Sequence, residues 1–167
     1  MAKNTWSRHS RAAQRAAERA KRIKAEAAER EEAEYEKLKK ELAADLERVK
    51  GLAEWEAFAK TGNHTDLIDT SGRMLWIVST AAVQCGVPQD HPDMRIMGGA
   101  ASALGDLAAR PRDIELHRPS IQSGLLAAER LWPQLNVWAL ARGALEFYET
   151  TKKAGLTLHD FPQVATA

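Results

Sequence analysis

Cysteine, proline, glycine and aromatic residues are all scarce in this chain of 167 residues, and each scarcity removes a class of fold or chemistry. The single cysteine, Cys85, can form no intramolecular disulfide and no cysteine-rich zinc site, so a small disulfide-stapled secreted domain is excluded. No run of eighteen apolar residues occurs, which leaves no candidate membrane span. The opening Met-Ala-Lys-Asn-Thr-Trp-Ser-Arg lacks the apolar stretch of a secretory signal, and the expected compartment is the reducing cytoplasm. No stretch alternates with the two-residue period of a strand, so no sheet is expected.

Chemistry-bearing motifs are equally sparse. Gly98-Gly99-Ala100-Ala101-Ser102-Ala103-Leu104-Gly105 is rich in glycine but follows no strand and lacks the lysine of a phosphate-binding loop, so it reads as helix packing. Asp113, Glu115 and His117 lie close together, yet a metal site needs further ligands, and a polar turn between prolines explains them better. Cys85 ends an apolar stretch with no local positive charge to stabilise a thiolate. His9, His64, His91, His117 and His159 fall in a tail or at expected junctions between helices, where solvated or capping roles are usual. No catalytic residue, metal site or cofactor is expected.

Charge is present and unevenly distributed. The net charge of +1 conceals eight Lys/Arg against one acid in residues 1–24, seven against eleven in residues 25–60, and nine against eleven in residues 61–167. A basic arm is therefore joined to two mildly acidic segments, and the asymmetry bears on partners.

Residues 8–60 contain no proline and one glycine, Gly51, and are dominated by Ala, Glu, Lys, Arg and Leu, which predicts a long helix. At about 100° per residue, Arg8, Arg11, Arg15, Arg19 and Arg22 share one narrow stripe, with small alanines on another face. With Lys21, Lys24 and a Trp6 able to stack, these are the candidate nucleic-acid-binding residues. Further along, Tyr35, Leu38, Leu42, Leu46 and Val49 recur at spacings of three and four and predict a seam against another helix. Its partner is either a second copy, giving a homodimeric coiled coil, or the chain's own C-terminal domain; only about two heptads are visible. Trp55 and Phe58 lie off the seam beyond Gly51, where the helix is expected to bend or change neighbours.

Thr61-Gly62-Asn63-His64 marks the first clear break. After it the sequence predicts an apolar helix over 66–84, with Asp69, Arg73, Thr80 and Gln84 as its polar strip and Asp69–Arg73 as an ion pair. A helix opened by Pro92 follows, running to about Arg110, with Ile96, Met97, Ala100, Ala101, Leu104, Leu107 and Ala108 facing inward. Gly98 and Gly105 share a flank of it, which suggests the close approach of another helix. Pro119 is expected to open the next helix, and a last one near Leu135 to Lys153 is expected to be central. Trp76, Leu104, Leu125, Trp138, Leu145 and Phe147 are expected in the core.

The fold class is therefore all-α, a long basic N-terminal helix followed by a compact bundle of four to five helices. The divisions are a basic arm (1–24), a long helix with a pairing seam (25–60), a globular domain (64–161) and a tail (162–167). The expected function is non-catalytic binding, with DNA or RNA on the arm and a protein partner on the C-terminal domain. The alternative is a protein–protein interaction module, such as an inhibitor, adaptor or assembly subunit, with no nucleic-acid role.

Overall fold

The computed structural model describes the backbone of residues 5–61 and 65–155, and the side chains of residues 11–61 and 66–155. Among these residues the chain is entirely helical, with no strand. A long helix, α1 (Thr5–Lys50), is followed by five shorter ones: α2 (Leu52–Thr61), α3 (Thr65–Gln84), α4 (Pro92–Ala109), α5 (Ile114–Leu131) and α6 (Val137–Lys153). Short 3₁₀ turns at Pro111–Asp113 and Trp132–Gln134 precede and follow α5. The chain divides into two compact units, Met1–Lys37 and Leu38–Ala167.

The first unit is the N-terminal part of α1. Its residues from 11 to 34 are exposed throughout. With no buried side chain there, its helicity rests on the propensity of Ala, Glu, Lys and Arg alone.

The second unit begins where bulky apolar residues begin. Leu38, Leu42, Leu46 and Val49 are buried, Val49 completely. This stretch is tied to α3 by the Arg73–Asp45 ion pair and to α5 by Lys50 on Glu129. The expected seam is thus covered within a single copy, and the structure gives no reason to assign it to a second one. Tyr35, the remaining member, is half-buried and belongs to the first unit.

At Gly51 the chain breaks between α1 and α2, and its amide donates to the Arg48 carbonyl at 3.1 Å. Trp55 and Phe58, both buried, then pack with ring centroids 5.8 Å apart. Arg48 joins this corner to α3, donating to Glu54 Oε2 (2.9 Å), Asp66 Oδ2 (3.0 Å) and Thr70 Oγ1 (3.1 Å). Burial alone lowers the Arg48 pKa, but Asp66 and Glu54 outweigh it and the net direction is up.

The central helix is α3 rather than α6. It packs against α4, α5 and α6, and Met74, Leu75, Ile77, Val78, Ala81 and Ala82 are all buried. Helix α6 buries mainly small residues, Ala139, Ala141, Gly143 and Ala144, together with Leu140. Two glycines set the closest helix approaches. A Cβ at Gly124 would lie 2.1 Å from the Cβ of Ala100, joining α5 to α4, and one at Gly143 would lie 2.9 Å from the Ile77 carbonyl oxygen, joining α6 to α3.

Pro92 opens α4 as expected, after His91, whose Nδ1 accepts from the Asp93 amide at 3.2 Å. Pro119 does not open α5: the helix starts at Ile114, and Pro119 lies one turn inside it, where it forfeits a single backbone bond near the helix start. Arg130 donates to Asp93 Oδ1 and ties the end of α5 to the start of α4. Gly86, at φ +85°, ends α3 in a backbone conformation that side chains with a Cβ rarely adopt.

Candidate nucleic-acid interface

The arm acquires its chemistry from helical pitch. Arg11, Arg15, Arg19 and Arg22 lie at spacings of four, four and three, and α1 is unbroken from Thr5, so one face carries all four guanidinium groups into solvent. Together with Ala12, Ala16 and the single acid Glu18, Arg15, Arg19 and Arg22 line one shallow concavity along the helix. The backbone of Arg8 continues the helix, but its side chain and that of Trp6 lie outside the described residues. The same pitch turns Lys21 and Lys24 away from the arginine stripe, so they widen the positive field without joining the face.

Arg22 Nε donates to Glu26 Oε1 at 3.1 Å, with side chains 82% and 51% exposed, a pair that sets a negative charge beside Arg22 while adding little stability in water. The first turn of α1 contains no acid, so the positive end of the helix dipole and the arginines carry the same sign. An anion laid along this face would relieve both. Past the stripe, the Tyr35 hydroxyl donates to Glu31 Oε1 at 2.8 Å. That hydrogen bond, then burial, then the charges of Glu31 and Glu34 raise the phenol's pKa above its ordinary value of 10.0.

The second unit presents a different kind of surface. Leu104 and Leu125 are buried as expected, but Trp76 (45% exposed), Trp138 (50%) and Leu145 (38%) are not in the core. The reason is angular: Trp76 falls between Asp69, Arg73 and Thr80 on the polar strip of α3, while Trp138 precedes Arg142 by one turn and Leu145 precedes Glu149 by one turn. Trp76 packs edge-on against the half-buried Phe147, with centroids 6.1 Å apart. Beside it a cleft of about 410 Å³ opens between α3 and α4, lined by Gly72, Trp76, Met94, Met97, Gly98 and Ala101.

That cleft also corrects the glycine reading. Among the described residues nothing lies within 4 Å of a Cβ built on Gly98 or Gly105, so none of them makes the close approach expected on that flank. Ile96, Ala101 and Ala108 are likewise exposed; the inward face of α4 is Met97, Ala100, Ala103, Leu104 and Leu107.

Asp113 pairs with Arg110 (3.6 Å) and Glu115 with Arg118 (2.9 Å), while the buried Nε2 of His117 has no hydrogen-bond partner. Among the described residues no three His, Cys, Asp or Glu side chains come together as metal ligands. Cys85 is half-buried and accepts from Asn136 Nδ2 at 3.6 Å. His64 and His159 lie outside the described residues, and so does the 162–167 tail. No helix among the described residues is long and apolar enough to cross a membrane. No protein-family model, no curated protein and no solved structure matches this chain.

Proposed function

We propose that this protein is a non-catalytic binding protein of the cytoplasm, contacting nucleic acid through its basic N-terminal helix and a protein partner through its helical C-terminal body. The observation that carries the reading is the exposure of residues 11–34 with Arg11, Arg15, Arg19 and Arg22 on one face. A helix that buries nothing gains nothing by folding alone, and a stripe of four arginines along it, with Glu18 as the one acid among them, is suited to a ligand of regularly spaced negative charge. Self-association is not part of the reading, because Leu38, Leu42, Leu46 and Val49 are covered within one copy.

A second reading is a protein–protein interaction module without nucleic acid. It is favoured by Trp76 and Trp138, exposed aromatics of the kind that anchor interfaces, and by the cleft beside Trp76. The two readings differ in salt dependence. Binding to labelled nucleic acid by the intact protein and by a form lacking residues 1–24 is measured across a salt series. Affinity that falls steeply with salt and vanishes with the arm supports the first reading; unchanged binding by the truncated form overturns it.

A further inference from the structure

Resting on the nucleic-acid reading, we propose that the arm's ligand is duplex DNA of B form, held through its phosphates over about six base pairs, with Glu26 and Glu29 ending the footprint. The length follows from the stripe. Arg8 to Arg22 spans fourteen helical steps, about 21 Å at about 1.5 Å each, which matches about six base pairs at about 3.4 Å per pair.

The form of the ligand follows from what surrounds the arginines. Single strands are held by stacking successive bases on a series of aromatic rings, and the arm offers one, Trp6, ahead of the stripe, with no Trp, Tyr or Phe in residues 7–34. The duplex must also admit the helix. An α-helix is about 10–12 Å across with its side chains, and the major groove of B-form DNA is about 12 Å wide. The major groove of A-form RNA is too deep and narrow to receive it. Ala12 and Ala16 run along one edge of the stripe, and their small side chains let the helix backbone approach the groove closely while the arginines reach outward to phosphate.

Between Arg8 and Arg22 there is no Asn, and the one Gln, Gln14, lies off the stripe, so adenine has no side chain on this face to read it. Arginines engaged on phosphate position the helix without reading sequence.

The end of the footprint is built into the same face. One turn beyond Arg22 the stripe continues as Glu26 and then Glu29, whose carboxylates oppose phosphate. Glu26 also holds Arg22 Nε at 3.1 Å. Of the five arginines, Arg22 is thus partly neutralised and four remain available, so the logarithm of affinity should fall with the logarithm of salt with a slope of about −3.6.

The test is fluorescence anisotropy with the full chain, using a labelled DNA duplex in two unrelated sequences, one of its single strands, and an RNA duplex of equal length. The expected result is binding to both DNA duplexes within about twofold of each other, and about tenfold or more tighter than to the single strand or the RNA duplex. The Glu26→Gln variant, which frees Arg22, is expected to steepen the salt slope by about one while leaving helix content by circular dichroism unchanged. Equal or tighter binding to the single strand or the RNA duplex overturns the inference while leaving nucleic-acid binding in place. A slope unmoved by Glu26→Gln overturns the assignment of the boundary. Failure to bind any of the four probes at low salt overturns the underlying reading itself.

Discussion

The indole Nε1 of Trp55 donates to the main-chain carbonyl of Val49 at 2.7 Å, both residues being completely buried. Val49 is the last apolar residue of α1, and its carbonyl is one of those that a helix end leaves without an intrahelical partner. Trp55, returning on α2 past Gly51, supplies the missing donor from a side chain that also fills the corner. Trp55→Phe keeps most of the ring but strands that carbonyl, and a loss of about 1–3 kcal/mol is expected. Trp55→Ala adds a cavity and should cost about 3–5 kcal/mol. Urea denaturation of the two variants separates the hydrogen bond from the packing.

Glycine substitutions divide by location. Gly124→Ala drives a methyl against the Cβ of Ala100, which has no rotamer in which to retreat, and Gly143→Ala meets the Ile77 carbonyl. Each is expected to destabilise by about 1–3 kcal/mol through overpacking. Gly98→Ala and Gly105→Ala meet nothing within 4 Å and are expected to stabilise α4, by up to about 1 kcal/mol each. Thermal melts of the four variants decide it.

Trp138 and Leu125 provide a second contrast, on aromatic and aliphatic burial. Leu125 is completely buried, and Leu125→Ala should cost about 2–5 kcal/mol. Trp138 is half exposed, so Trp138→Ala is expected to cost less than about 1 kcal/mol despite removing the larger side chain. Chemical denaturation of both variants checks the order.

The sequence made the helices legible because periodicity and punctuation agree in it. Long runs of strong helix formers, Pro92 at a helix start and Gly51 at a break all have local causes, and the structure shows each of them. What sequence reasoning missed was which large side chains go inside. Trp76 and Trp138 have the apolar character of core residues, yet their angular positions among Asp69, Arg73 and Thr80 and beside Arg142 mark them as outward. Register decides burial here over hydrophobicity. By contrast, the contact partners of Gly124 and Gly143 are tertiary facts with no local signature. Nor could the seam's partner be read from Leu38 to Val49 alone, because an amphipathic stripe is the same whether its own chain or a second copy covers it. On the arm, pitch alone brings Arg11, Arg15, Arg19 and Arg22 to one face and turns Lys21 and Lys24 from it, all of which the spacing contains.

Tyr35 offers a check on the junction between the basic and acidic parts of α1. Its phenol is held protonated by Glu31, so its folded pKa lies above 10.0. The contact contributes stability while the phenol carries its proton and is lost as pH rises from 10.0 through the raised pKa. In a Tyr148→Phe background, which leaves one tyrosine, ultraviolet titration should show a midpoint above 10.0, moving down on Glu31→Gln. A midpoint unmoved by Glu31→Gln contradicts the hydrogen bond.

The most direct test of the central claim is the affinity of the full-length protein for duplex DNA at matched salt, before and after replacing Arg11, Arg15, Arg19 and Arg22 together by glutamine. Glutamine retains helix propensity and removes only the charge, so helix content should be unchanged. The account predicts a loss of about a hundredfold or more together with a salt slope reduced to about −0.9, the share of the remaining Arg8. Affinity and salt slope equal to those of the unaltered protein would contradict it.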